Sequence, residues 1–284
     1  MEFSRSVMDL IKERVSVRTY EEQKIDPEKL KKIESYLEAL NKGKTTKDRY
    51  LLMNMEDFKE EEVKTIWKPN IITGTRYCIV GISDKEAMSE ISFGYDFEKI
   101  ILFATELGLG TCWLGGAYNR EGLSKYIDLK GEEMISLISP IGYEKDGFRF
   151  KPSAMNLAFR SKSRKPWKVL FHKNVPKKPL TEEDAGEYRD PLEMVRQAPS
   201  GFNRQPWRIL KENGKYHFFI GTRSTYGFLP HDMGKIETGI AKCHFELTAK
   251  EKGLKGRWES LPEDALPFEM PEKWTYHVSW IDQS

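Results

Sequence analysis

The stretch ERVSVRTY at 13–20 places Arg14, Ser16 and Arg18 at every second position. In an extended backbone all three side chains point the same way. Two guanidiniums flanking a hydroxyl make a cradle for phosphate oxygens, because arginine's planar fork forms charge-assisted hydrogen bonds with them. The plainer alternative is an edge strand with its charges in water. SKSRKP at 161–166 repeats the spacing with Lys162 and Arg164; alone it reads as a solvated basic cluster, and it gains meaning only by converging with the first three residues on one anion. LGLGTCWLGGAYNREGL at 107–123 supplies Gly108 and Gly110 as helix-end glycines, whereas Gly115 and Gly116 bring backbone within reach of a ligand. It follows a helix and has the wrong spacing for a dinucleotide-binding fingerprint. Finally, APSGFNRQPW at 198–207 combines Pro199, Ser200 and Gly201 with the amide of Asn203 and an anchoring Trp207. Asn203 offers a donor and an acceptor together, which suits a ligand with amide-like edges or the capping of its own turn.

The elements around these segments follow from pattern. Ser6 followed by Asp9 resembles a capping box and opens a helix over about 6–14. Asp26-Pro27 starts a second helix, whose stripe of Leu30, Ile33, Leu37 and Leu40 runs to the Asn-Lys-Gly at 41–43. RYCIVGI at 76–82 reads as a strand. SFGYDFEKIILFATELGLG carries Phe93, Phe97, Ile100, Ile101, Ala104 and Leu107 at helical spacing and predicts the strongest helix, ended by Gly108. A strand is expected at 134–143, with Pro140 interrupting its hydrogen bonding. Residues 151–180 read as an extended connection packed across another surface through Trp167, Val169, Leu170 and Phe171. A helix at 190–198, a hairpin of WRIL and KYHFFI about Asn213-Gly214, a long helix over 233–252 and a final strand TYHVSWI complete the chain.

The two long helices echo each other. Gly94 matches Gly239, Leu102 Leu247, Ala104 Ala249, Glu106 Glu251, Gly108-Leu109 Gly253-Leu254 and Trp113 Trp258, all at one offset. Two amphipathic helices share Ala, Leu and Glu by chance, but the shared Gly-Leu and the tryptophan at fixed distance favour a diverged duplication. The expected architecture is α+β, with two halves related by a pseudo-two-fold and packed through their long helices. Such a chain makes within itself the interface a homodimer needs two chains to make.

Composition excludes more than it selects. With 46 Lys plus Arg against 44 Asp plus Glu, nothing mandates nucleic-acid or membrane binding. No apolar run is long enough for a transmembrane helix, and MEFSRSVMDLIKERVSVR lacks a signal peptide's uncharged block; a cytoplasmic location is the expectation. Cys78, Cys112 and Cys243 form neither a disulfide framework nor a redox pair. The five histidines lack ligand spacing, so no metal is expected. His244 reads as a helix-surface or half-buried residue.

Together these segments resemble the nitroreductase family of flavoproteins that use FMN. Arg14-x-Ser16-x-Arg18 is similar to its first flavin-binding segment and APSGFNRQPW to its Pro-Ser-x-x-Asn-x-Gln-Pro-Trp. LGLGTCWLGG is similar to the segment after its central helix, ISLISPIGY to the following strand, and Lys162-Ser163-Arg164 to its C-terminal phosphate-binding pair. The resemblance implies that Arg14, Ser16, Lys162 and Arg164 hold the ribityl and phosphate, with Arg18 at the pyrimidine edge. Pro199, Ser200, Gly201 and Asn203 would cover the ring, and the backbone of Gly115 or Gly116 would face the nitrogen that takes the hydride. It implies NAD(P)H as donor, a nitroaromatic, quinone or similar small-molecule acceptor, and chemistry carried by the flavin without a catalytic side chain.

The order departs from that of a single-domain member. LEALNKGKTTKD stands where the first half should carry Pro-Ser and Gln-Pro-Trp, and the second half has no Arg-x-Ser-x-Arg. Each half lacks what the other kept. The implied result is one FMN site per chain, in a monomer acting as a pseudo-dimer, with halves at 1–170 and 171–284. Two other readings stand beside it: a flavin-binding or sensory module without turnover, and a flavin-free scaffold.

Overall fold

The structure is a computed structural model that describes residues 3–44, 46–68, 71–85, 87–145, 163–221 and 231–284. Helices α1 (Val7–Glu13) and α2 (Pro27–Lys42) lead to strand β1 (Arg49–Asn54) and helix α3 (Glu60–Ile66). Strand β2 (Tyr77–Asp84), helix α4 (Glu90–Glu106), strand β3 (Gly110–Thr111), helix α5 (Arg120–Ser124) and strand β4 (Glu133–Gly142) follow. After β5 (Phe171–Lys173) come α6 (Arg189–Gln197), the hairpin β6 (Trp207–Glu212) and β7 (Lys215–Ile220), α7 (Met233–Glu251), β8 (Gly256–Glu259) and β9 (Thr275–Asp282). The strands form a four-stranded antiparallel sheet, β1-β2-β4-β3, and a five-stranded sheet, β5-β6-β7-β9-β8. Only the β5–β6 pair of the second sheet is parallel. The fold is therefore α+β, as the sequence indicates, with the first sheet drawn from the first half of the chain and the second from the remainder.

The helix ends confirm the local chemistry. Ser6 accepts the amide of Asp9, and Asp26 accepts that of Glu28 with Pro27 at the first helical position. At the β6–β7 turn Asn213 and Gly214 take φ of 44° and 71°, the conformation that a two-residue hairpin requires.

Helix α4 packs between the first sheet and α7. Phe93 and Phe97 are fully buried and lie 5.4 and 6.0 Å from the ring of Tyr50 on β1; burying a side chain of that kind contributes about 1.5–3 kcal/mol. On its other side the contact with α7 is reciprocal. A Cβ on Gly94 would lie 2.2 Å from the carbonyl oxygen of Ile236, and one on Gly239 would lie 2.2 Å from that of Ile91. The glycines are there because the two backbones touch.

Two expectations are corrected, those for residues 163–180 and for His244, whereas strand β4 continues through Pro140, opposite Cys78, with the hydrogen bonding interrupted there as expected. Its missing amide faces the neighbouring chain in the gap between the Thr111–Ile141 pairing and the Leu114–Ile138 bridge. There Cys112 donates its amide to the Ser139 hydroxyl at 3.1 Å instead. Within 163–180 the chain is more than a connection: a helical turn at Trp167–Leu170 feeds β5, and Leu170 and Phe171 are core residues of the second half. His244 is neither at the surface nor half-buried; it has no exposed area. Among the described residues, no helix is long and apolar enough to cross a membrane.

Replacing Gly94 or Gly239 by Ala is expected to destabilise the chain by about 1–3 kcal/mol, the usual cost of overpacking a close contact. Urea unfolding midpoints check this, with the two variants giving similar losses because the contacts mirror each other.

Candidate functional site

A cavity of about 650 Å³ lies where the two halves meet, within the roughly 300–1,000 Å³ span of small-molecule sites. Ser16 and Arg18 line it from the extended segment after α1, together with Gly115 and Gly116 from the loop after β3. Pro199, Ser200, Gly201 and Phe202 line it from the loop after α6, and Met233, Glu237 and Ile240 from one face of α7. Seven residues singled out from sequence thus converge on one space. A larger groove of about 840 Å³ adjoins it across Lys68, but there Lys24 pairs with Glu56 at 3.1 Å and Arg76 with Glu60 at 2.7 Å. Its charges are directed at one another.

Residues 14–20 are extended because neighbouring chains take up their backbone: the amide of Val17 donates to the carbonyl of Thr111 at 2.8 Å, and Tyr20 donates to Thr73 at 2.9 Å. The alternation then aims Ser16 and Arg18 at the cavity. The carbonyls of both loop glycines are held by cations, Gly116 by Lys68 Nζ at 2.6 Å and Gly115 by Arg120 Nη2 at 3.3 Å. Neither glycine amide has an acceptor among the described residues. Two backbone donors therefore remain for a ligand at the cavity wall.

The segment after α6 is held in an unusual backbone. Phe202, Asn203 and Gln205 have φ of 51°, 53° and 45°, left-handed values that cost a non-glycine residue of order 1–3 kcal/mol each. Several bonds offset that strain. Ser200 Oγ accepts the amide of Gln205 at 2.8 Å, Glu237 Oε1 accepts that of Gly201 at 2.8 Å, and Gln205 Oε1 accepts that of Lys165 at 2.7 Å. Asn203 does not line the cavity; its Nδ2 donates to the Ser163 carbonyl at 2.9 Å. Asn203 and Gln205 together staple residues 163–165 against this turn. Phe202 is 50% exposed at the rim.

The staple brings Arg164 to the first half's basic residues. Arg164 donates to the Gln197 carbonyl at 3.1 Å, and burial together with the guanidiniums of Arg14 and Arg196 lowers its pKa to about 10. Arg14 is 7% exposed, its Nε lies 4.0 Å from Glu98 Oε1, and that Nε has no hydrogen-bond partner among the described residues. Crowded, desolvated cations of this sort favour a bound anion. Lys162 lies outside the described residues.

A polar network under the cavity was not legible in the sequence. Trp113, another lining residue, donates Nε1 to Glu98 Oε2 at 2.8 Å. Glu98 Oε1 lies 2.9 Å from His244 Nε2, and His244 Nδ1 lies 2.9 Å from the Met194 carbonyl. That carbonyl can only accept, so Nδ1 carries a proton. Both Glu98 and His244 have no exposed area, which explains their mutual pairing. Sequence reasoning also missed Lys68 and Glu237. The spacing of Met233, Glu237 and Ile240 along one helical face was a usable signal for the latter.

Comparison with known proteins follows the same lines. A family model described as "Putative TM nitroreductase" matches residues 6–249. A crystal structure of a "putative nitroreductase" from Thermotoga maritima superposes with a TM-score of 0.61 at 19% identity, covering 99% of this chain and 95% of that one; at this identity the likeness shows the fold. Two others cover about half of this chain. A nitroreductase in complex with FMN from Desulfovibrio desulfuricans has a TM-score of 0.40 at 20% identity, over 50% of this chain and 88% of its own. An FMN-dependent nitroreductase from Clostridium difficile has a TM-score of 0.38 at 20% identity, over 48% and 87%. No curated protein matches the sequence.

If Arg14 and Arg164 form an anion site, replacing chloride by phosphate at constant ionic strength should stabilise the ligand-free protein. The expected gain is about 1 kcal/mol, or roughly 2–4 °C in thermal midpoint. Arg14→Gln should remove most of it, and an unmoved wild-type midpoint would count against the assignment.

Proposed function

The chain belongs to the nitroreductase family, and from that premise we propose that it is an FMN-dependent oxidoreductase that takes electrons from NAD(P)H and delivers them to a small electron-poor acceptor. The observation that carries the reading is the single cavity walled by Ser16, Arg18, Gly115 and Gly116 from one half and by Pro199, Ser200 and Gly201 from the other. By resemblance, Ser16, Arg18, Gly115, Gly116, Pro199, Ser200 and Gly201 would hold FMN there, and it would supply hydride-transfer chemistry between a reduced nicotinamide and a nitroaromatic, quinone or similar molecule.

The residues present fit that group. Arg14 and Arg164 do not line the cavity itself, but their guanidiniums act on each other, and by resemblance they would meet the phosphate as charge-assisted donors, with Ser16 and Lys162 as further candidates. Arg18 and Lys68 supply positive charge to the cavity, where it stabilises negative charge developing on a ring edge. The amides of Gly115 and Gly116 act as fixed donors. Ile71, Leu114, Leu137, Met233 and Ile240 give the same space apolar walls, so that a ring seated there would be shielded from water and its polar contacts strengthened.

The halves, 1–170 and 171–284, are read as a diverged duplication acting as a built-in dimer, with the chain as a monomer. Reciprocal packing of Gly94 and Gly239 supports this. So does a counterpart cavity of about 420 Å³, lined by Gly43, Lys44 and Thr46 before β1, by Ser92, Tyr95 and Asp96 on α4, and by Lys242 and Glu246 on α7. Ser92 and Tyr95 stand at the helix-echo offset from Glu237 and Ile240. In that second space Lys44 Nζ lies 2.9 Å from Asp96 and 3.8 Å from the centre of the Tyr50 ring. A desolvated ion pair at that wall supports one flavin per chain.

Purified protein is expected to release one FMN per chain. Anaerobic mixing with NADH or NADPH should bleach its flavin absorption, with recovery on adding a quinone or nitroaromatic. If neither nucleotide bleaches a stably bound flavin, the reductase reading is lost and a binding module without turnover takes its place. Two flavins per chain would overturn the single-site reading.

A further inference from the structure

We propose that Glu237 is the positioning residue of the cavity, fixing the Ser200–Gly201 backbone over the flavin ring while setting its own negative charge beside it. The inference rests on the FMN reading given above.

Glu237 lines the cavity yet is only 1% exposed. Its Oε1 accepts the Gly201 amide at 2.8 Å, so a helix side chain reaches across to a backbone group of the strained turn. Among the described residues the turn's other supports act on Ser200, Asn203, Arg204 and Gln205; this bond ties Gly201, a residue of the cavity wall, to a rigid element. The helical spacing carries the position, since Met233 and Ile240 stand four residues before and three after Glu237, about one turn to either side on the same face.

The counterpart place in the other half shows what the carboxylate adds. Ser92 stands on α4 at the echo offset from Glu237 and lines the counterpart cavity together with Gly43. Its hydroxyl accepts from Ser89 Oγ at 3.2 Å, within its own helix turn. A serine side chain is too short to span from helix to loop, whereas glutamate spans it. The long carboxylate thus belongs to the half that keeps Pro199-Ser200-Gly201, and the short hydroxyl to the half that lost the equivalent segment.

Charge follows from position. Arg18 and Lys68 are cations of the cavity wall contributed by the first half, and Glu237 opposes them from the second. A carboxylate in a water-poor space disfavours adding electrons to a neighbouring ring. It therefore holds the bound flavin at a lower potential than the two cations alone would give.

Two variants separate clamp from charge. Glu237→Gln keeps an acceptor for Gly201 and loses the charge; Glu237→Ala loses both. For Glu237→Gln, FMN affinity should stay within about threefold of wild type, protection of the Gly201 amide from hydrogen exchange should persist, and the reduction equilibrium against a reference dye should shift about tenfold toward reduced flavin, or 29.6 mV for a two-electron couple. For Glu237→Ala, Gly201 protection should fall at least tenfold in the flavin-free chain and FMN affinity should weaken at least tenfold. Wild-type affinity and Gly201 protection in Glu237→Ala would overturn the clamp, and an unshifted equilibrium in Glu237→Gln would overturn the charge effect. If the alanine variant does not fold, the glutamine variant still decides the charge effect. A wild-type chain that takes up no FMN would instead remove the flavin reading, while the Gly201 exchange rates would still report whether the clamp exists.

Discussion

The close crossing of α4 and α7 is the constraint on which the site depends. Helix backbones come into direct contact only where both surfaces lack a Cβ, and Gly94 and Gly239 meet that condition from opposite sides. The crossing lets α7 present Met233, Glu237 and Ile240 to a loop that belongs to the other half. A wider separation would pull that face away from Gly115 and Gly116 and divide the cavity into two open surfaces.

The same crossing buries a polar group that must be answered. Glu98 sits inside the helix interface with Trp113 on one carboxylate oxygen and His244 on the other. Removing one partner would leave a buried polar group unsatisfied, typically costing about 1–3 kcal/mol. The pair links the halves, and through the Trp113 indole it also orients a wall of the cavity. Structural and functional demands therefore meet in one network: glycine sets the distance, and the polar groups set the register.

Around that frame the site is built mainly from backbone. Gly115 and Gly116 contribute amides, while Lys68 and Arg120 hold their carbonyls. The turn at 199–205 contributes a strained wall whose cost is offset by bonds to Glu237, Ser163 and Lys165. Asn203 illustrates the division of labour. Sequence resemblance assigns it to the cofactor, whereas the geometry shows it holding Ser163 and so bringing Arg164 toward Arg14.

Much of this was legible because it is local. Periodic apolar residues specify α4 and α7, Asp26-Pro27 starts α2, Asn213-Gly214 turns the hairpin, and alternation aims Ser16 and Arg18 to one side; each depends on residues within a turn or two of each other. The different motifs carried by the first and second parts of the sequence were likewise a property of order along the chain. What the sequence did not disclose depends on contacts between distant segments. Pro140 stays in a strand because the chain beside it has a gap at that amide. Phe171 becomes a strand residue because β6 lies alongside. His244 is buried because a carboxylate from the other half waits for it, and Lys68 and Glu237 acquire roles because folding sets them against Gly116 and Gly201. Sequence alone determined the elements and the family to which they point; tertiary structure decided which polar groups are desolvated and what answers them, since burial and partnership are properties of the packed chain and not of its local pattern.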